Sequence, residues 1–303
     1  MKKNGIIIFF LIILLFYPLS LKSTDKFSFS ITADMRNYSG KGKYDTNDYF
    51  AGVVKTIKKV SDTVFMISPG DIDPPSKIYW TISKYLGKNH MWFPVIGNHE
   101  AETKSDMEWL LNYHIDKNGK LPPNIVRWGP DKCKKTTYSF DYKNSHFIIL
   151  NEYCEGYNRF KKSGGNISKE LYEWLKKDIN KNRKQNIFVI GHSPAYPIPD
   201  YESVRIRHES SSLNDYPKNR TRFWKLLKEK KVIAYICGHT HNYSITDIAG
   251  VWQIDAGHSR GIGDTGSKST FIIIDVNGAS VNYRTYRLNK NNRYKLSYKG
   301  KLR

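Results

Sequence analysis

Five short apolar runs constrain this chain most, because each stops on a side chain able to hold a cation. "SITAD" ends on Asp34, "MISPGD" on Asp71, and "FPVIGNH" on Asn98 and His99. "FVIGH" ends on His192, and "AYICGH" on His239, with His241 two residues later. Runs of this length and β-branched content read as buried strands. Between them lie stretches of helical spacing: Phe50, Val53, Val54, Ile57 and Val60, then Ser76–Leu86 closed by Gly87, then "SDMEWLLNYH". Leu171, Trp174, Leu175 and Ile179 follow a capping Ser168, and "RTRFWKLLKEKK" reads as one more helix. Strands alternating with helices make a mixed α/β fold, whose ligands gather outside the carboxyl ends of the strands. Gly70, Gly97, Gly191 and Gly238 each directly precede a ligand-capable residue, where the backbone must turn sharply or come close to something. Any one of these residues alone would be an ordinary cap or a stray histidine. Together they require a common site.

The remaining segments read as hairpins. "TTYSFDY" and "HFIILNEY" flank a polar link at Lys143–Asn144, with Cys133 and Cys154 placed outside them. Export would permit a disulfide between those cysteines, and the two readings, a disulfide or two unpaired thiols, stand equal. Cys237 lies inside an apolar run and reads as a buried thiol. "TFIIIDV" and "ASVNYRTYRL" are joined at Asn277-Gly278, a two-residue hairpin signal. "GIGDTG" matches a dinucleotide fingerprint letter for letter, but it runs into the strand-like "STFIIID" where that fingerprint needs a helix. The match is rejected, and the loop with His258 and Arg260 is either a glycine-rich edge of the site or an ordinary connection. No repeat or linker divides the chain, so residues 24–303 are expected to be one domain.

Lys2 and Lys3, the apolar run from Ile6 to Phe16, and the small residues after it are the parts of an export signal over residues 1–23. The expected location is periplasmic, secreted or anchored at the N-terminus. The net charge of +21 favours anionic partners, or else reflects a lysine- and asparagine-rich composition spread over an ordinary surface. The densest basic patch, "RTYRLNKNNRYKLSYKGKLR", reads equally as a solvated edge strand and tail.

Carboxylates and an amide mixed with imidazoles suit Zn, Mn or Fe. The set is too large for one tetrahedral site, and two metal ions bridged by a shared carboxylate would use all of it. At these residues the chain resembles the calcineurin-like metallophosphoesterases. "ADMR", "SPGD", "IGNHE", "VIGH" and "CGHTH" occur in the family's order, nearest its purple acid phosphatase branch. The resemblance implies a four-layer α/β/β/α sandwich of two mixed sheets flanked by helices. It implies Asp71 as bridging ligand, Asp34 and His241 on one metal, and Asn98, His192 and His239 on the other. His99 would sit over the phosphate as acid or charge stabiliser.

The first motif departs from the family: Arg36 stands where a ligating histidine is usual, and Pro74 where the purple acid phosphatases carry tyrosine. Asp73 or His258 would have to fill the gap. Arg36 either clamps a phosphate oxygen or pairs with a ligand carboxylate. Residues 193–218 form a long connection after His192, a lid or a solvated loop, with Arg205, Arg207 and His208 placed to meet substrate. The implied activity is that of an exported hydrolase of phosphate mono- or diesters acting by attack of a metal-bound hydroxide. The alternative is a catalytically silent binding protein with an incomplete first metal site. The substrate is expected to be a phosphorylated small molecule or a phosphodiester. The basic surface admits nucleic acid without a single-strand groove to support it, and no protein partner is evident.

Overall fold

Successive side chains of the buried strands go to different cores, and that alternation builds the layers. The computed structural model describes residues 25–36, 49–113, 125–156, 164–261 and 266–303. The expected export segment and Gly263 of "GIGDTG" lie outside the described residues. In chain order, β1 (Lys26–Ile31), α1 (Phe50–Val60), β2 (Phe65–Ser68), α2 (Pro75–Leu86), β3 (Met91–Pro94), α3 (Asn98–Glu102) and α4 (Lys104–Tyr113) come first. Next are β4 (Ile125–Trp128), β5 (Tyr138–Tyr142), β6 (Ser145–Ile149), α5 (Lys169–Lys181), β7 (Asn186–Ile190), α6 (Pro217–Glu229) and β8 (Ala234–Cys237). The chain closes with β9 (Tyr243–Ile248), β10 (Val251–Ala256), β11 (Thr270–Asn277), β12 (Ser280–Leu288) and β13 (Tyr294–Lys301).

One sheet has the order β13-β12-β11-β1-β2-β3 and the other β4-β5-β6-β7-β8-β10-β9. Phe65 and Ile67 point into the cluster between the sheets, while Met66 between them packs under α1 and α2. Likewise Phe147 and Ile149 face the inter-sheet core, and Ile148 faces α5 and α6. A period of two on strands buried on both faces gives helix, sheet, sheet, helix. The fold is therefore the expected four-layer α/β/β/α sandwich. Its centre is aromatic: Phe29, Phe65, Phe140, Phe147 and Phe188 meet ring to ring at 4.8–5.6 Å.

The helices end for local reasons. Ser168 Oγ accepts from Leu171 N at the start of α5, Pro75 opens α2, and Gly87 closes it at φ 106°. Among the described residues no helix is long and apolar enough to cross a membrane. Cys133 and Cys154 are bonded across the base of the β5–β6 hairpin, with Cα atoms 5.2 Å apart, which settles their pairing.

Two boundaries move from the expected ones. β3 stops at Pro94, and Asn98 opens the short helix α3 instead of ending a strand. The β11–β12 turn consists of Gly278 and Ala279, one residue later than expected, because Asn277 pairs with Ser280. The strands β4, β9 and β13 lack a clean apolar run. The basic C-terminal stretch forms the second half of β12 and the exposed edge strand β13, with charged side chains outward, as edges require.

Candidate metal centre

The parallel strands of both sheets point their carboxyl ends at one cleft of about 470 Å³. Asp34 follows β1, Asp71 follows β2, Asn98 and His99 begin α3 after β3, His192 follows β7, and His239 and His241 follow β8. Two triads bring ligand atoms within 4.8 Å of one another: Asp71, His192 and His239, and Asp34, Asp71 and His241. Asp71 belongs to both. Asp34, Asp71, His239 and His241 all adopt positive φ, between 50° and 71°, a backbone state that costs about 1–3 kcal/mol per non-glycine residue and clusters at functional sites. The preceding glycines are required by contact. A Cβ on Gly70 would lie 2.3 Å from His192 Nδ1, and one on Gly238 would lie 2.4 Å from Asp34 Oδ2.

On one side of Asp71 the tautomers are set by carbonyl groups. His192 Nδ1 faces Pro69 O at 2.8 Å and His239 Nε2 faces Ser211 O at 2.6 Å. A carbonyl only accepts, so each of these nitrogens carries the proton. Their other nitrogens, His192 Nε2 and His239 Nδ1, are then lone pairs 3.1 Å apart. Asn98 Oδ1 stands 3.2 Å from His192 Nε2, and Asp71 Oδ1 stands 3.4 Å from it. Four acceptors converge with no proton between them, all in residues that are buried. Such an arrangement is unfavourable without a cation, and imidazoles oriented by an outer carbonyl are the usual form of a metal-binding histidine. The donor set fits a transition metal ion.

The other side is built differently. Asp34 Oδ2 accepts from His239 N at 2.9 Å, whereas Asp34 Oδ1 is buried without a hydrogen bond and lies 3.6 Å from His241 Nε2. Arg260, 1% exposed, donates Nε to the Asp34 carbonyl at 2.9 Å and places Nη2 3.2 Å from His241 Nε2. Arg207 Nη1 is 2.8 Å from His241 Nδ1. Burial drives the Asp34 carboxyl well above the ordinary range, Asp71 adds to the effect, and Arg260 opposes it. Burial pushes Asp71 upward as well, whereas positive charge on the surrounding imidazoles of His192, His99, His239 and His241, wherever they carry a second proton, holds that carboxyl low. An opposite charge in the cleft would relieve both acids.

The cleft walls carry the remaining candidates. Arg36 Nε pairs with Asp73 at 3.1 Å and its Nη1 donates to His99 Nε2 at 2.6 Å. Asp73, one candidate for completing the first site, therefore serves Arg36, and the expected pairing of Arg36 with a ligand carboxylate gives way to this one. His258, the other candidate, donates Nε2 to Ser267 O at 3.0 Å. Burial, with Arg36, keeps the His99 imidazole neutral by lowering its pKa. Residues 193–218 form a wall of the cleft. Asp200, 2% exposed, accepts from Ser203 N, Tyr243 N and Arg287 Nη2 and so ties this loop to β9 and β12. Arg205, Arg207 and His208 line the cleft. His208 lies with its ring centroid 4.2 Å from that of His239, and burial beside Arg207 lowers its pKa to about 4.

Two buried glutamates escape sequence reasoning. Glu100 accepts backbone N–H groups from Asp71, Ile72 and Gly97 at 2.7–3.0 Å, locking the ends of β2 and β3 together. Glu152 accepts from Ser193 N at 2.7 Å, His192 N at 3.3 Å and the Tyr235 hydroxyl. Glu100 follows His99 directly, so the motif "GNHE" carried a signal; Glu152 follows β6 and nothing local marks it.

A carboxylate-and-imidazole cluster at the strand ends of a two-sheet α/β/β/α sandwich makes this cleft a candidate metal centre. The calcineurin-like phosphoesterase family model matches residues 29–243, and the chain belongs to that family. GAP50 of Plasmodium, the anchor in the inner membrane complex, superposes with a TM-score of 0.58 at 18% identity, over 91% of this chain and 88% of that one. The purple acid phosphatase PPD1 of yellow lupin (Lupinus luteus) seeds gives 0.58 at 14% identity, over 91% of this chain and 54% of that one. PhoD gives 0.55 at 11% identity, over 90% and 72%. At these identities the likeness is one of fold. No curated protein matches the chain in sequence.

Proposed function

We propose that this protein is a metal-dependent phosphoesterase that hydrolyses phosphate esters in the cleft above Asp71. The observation that carries the reading is the convergence of four lone pairs, from Asp71, Asn98, His192 and His239, beneath a wall of arginines. Arg36, Arg205, Arg207 and Arg260 all line the cleft, a concentration of guanidinium suited to a dianionic phosphate group. A bound ion would polarise a phosphoryl oxygen and lower the pKa of a coordinated water.

The chain's own residues bind and orient. Arg36 and Arg207 grip the phosphate oxygens, Arg205 and His208 face the leaving group, and His99 supplies a hydrogen bond to charge developing on it. The Arg36–His99 contact means that arginine must turn toward the incoming phosphate, and His99 Nε2, a lone pair in that contact, must then take the ring proton before it can donate to the leaving group. The reading takes residues 24–303 as one such domain behind an N-terminal export segment, consistent with a disulfide in an oxidising compartment.

Purified protein should contain a transition metal ion and hydrolyse a chromogenic phosphate monoester, with inorganic phosphate as competitive inhibitor. A metal-loaded protein without turnover of either mono- or diesters would instead support a silent binding role, the part that the GAP50 fold plays as an anchor.

A further inference from the structure

The two sides of the ligand cluster supply positive charge in different ways. On the His192 and His239 side every ring proton goes to a carbonyl and only lone pairs remain. On the His241 side both ring nitrogens face guanidinium groups, Arg207 Nη1 at 2.8 Å from Nδ1 and Arg260 Nη2 at 3.2 Å from Nε2. A guanidinium donates and never accepts, so each of these contacts asks His241 for a lone pair. A neutral imidazole has one. The nitrogen turned toward Asp34 Oδ1 is the one Arg260 approaches, so an ion ligated by Asp34 and His241 would compete with Arg260 for the same electrons.

Arg260 is also built into place. It is 1% exposed, its Nε is held by the Asp34 carbonyl at 2.9 Å, and its neighbour Ser259 donates its backbone N–H to Ala33 O at 2.8 Å. Asp34 Oδ1 is buried without a hydrogen bond, and a buried carboxylate oxygen in that state needs a positive charge nearby. The candidates are a second ion and this guanidinium, and the contact with His241 Nε2 makes them mutually exclusive.

We propose that Arg260 is the second cation of this centre. The resting protein then holds one tightly bound ion, between Asp71, Asn98, His192 and His239, and Arg260 supplies the positive charge on the Asp34 side. The inference rests on the metal reading given above for the first ion only.

The test is metal stoichiometry, by elemental analysis and by titration of stripped protein with Zn²⁺ and with Mn²⁺. Wild type should bind one ion tightly, and Asp34→Asn should leave that count unchanged. Arg260→Met should open a second tight site, and adding Asp34→Asn to it should close that site again. Arg260→Lys keeps the charge and should stay at one ion, which guards against a misfolded methionine variant. Two ions of similar affinity in wild type, or loss of an ion on Asp34→Asn alone, would overturn the assignment of Arg260. No ion in any variant would overturn the metal reading beneath it.

Discussion

Two regions at opposite ends of the same sheet bury histidine beside aspartate, and they do opposite things with it. In the cleft, His192 and His239 give their protons to the carbonyls of Pro69 and Ser211 and turn lone pairs toward Asp71. At the start of β6, His146 lies between two carboxylates, Asp141 at 2.6 Å from Nδ1 and Asp178 at 2.8 Å from Nε2. Carboxylates on both nitrogens favour imidazolium, so the His146 pKa is raised although its burial works the other way. Arg127 also pairs with Asp178 and Lys184 with Asp141, completing an ion-pair network. The lesson concerns the outer partner. A carbonyl makes a buried histidine a ligand, and a second carboxylate makes it a cation.

Replacing a ligand in the first region should have the largest effect. His192→Ala removes one of the converging lone pairs, so metal affinity should fall beyond the ~10–100-fold typical of losing an outer partner, and ester turnover should vanish with it. Titration with Zn²⁺ checks the first outcome, and His146→Gln measured alongside should leave affinity untouched. Equal losses in both variants would erase the distinction between the regions.

His99→Ala should keep its metal and lose about 10²–10⁴-fold in kcat, the usual range for proton transfer or charge stabilisation by one side chain. If metal content dropped with activity, His99 would belong among the ligands. Arg36→Ala should chiefly raise KM and weaken phosphate inhibition, by roughly 10- to 150-fold for a charge-assisted hydrogen bond of ~1.5–3 kcal/mol. Arg36→Lys should recover part of it, since an ammonium lacks the two-pronged geometry.

Glu152→Gln should weaken metal binding by about 10–100-fold, because the His192 backbone loses the carboxylate that orients it. The readout is Zn²⁺ affinity against thermal stability: a purely structural role would lower the melting temperature and leave affinity alone.

The smallest effect concerns pH and the second region. The folded pKa of His146 lies above its ordinary value of 6.5, so folding favours the protonated ring. Its contribution is full below about pH 6.5 and declines as pH rises through the elevated folded value. Urea unfolding should therefore show stability from this group falling on the alkaline side, and His146→Gln, costing about 1–3 kcal/mol at acidic pH, should flatten that decline. An unchanged slope in the variant would mean that His146 is neutral in the fold.

What lies along one strand was legible in the residues. The apolar runs, the period-two alternation, the capping Ser168 and the glycine before each ligand position are short-range features, and so is the order of family motifs. Asn98 was placed on the correct edge but on the wrong element, because the apolar run to Ile96 does not show where β3 yields to α3. The strands β4 and β9 were hidden because pairing with a neighbour, rather than their own composition, makes them strands, whereas the edge strand β13 was one of the two readings of the basic C-terminal stretch.

By itself the sequence determined which side chains reach the cleft, since period and turn residues act within a few positions of the chain. The tertiary structure alone decided what those side chains became. Pro69 and Ser211 set the tautomers of His192 and His239 across 123 and 28 residues, and Asp34 meets Arg260 across 226. The Cys133–Cys154 bond is of the same kind, with both thiols present in the sequence and their pairing made by the register of a hairpin. Protonation, charge balance and ligand geometry depend on contacts of a few ångströms between distant segments, and only the packing of two sheets brings those segments together.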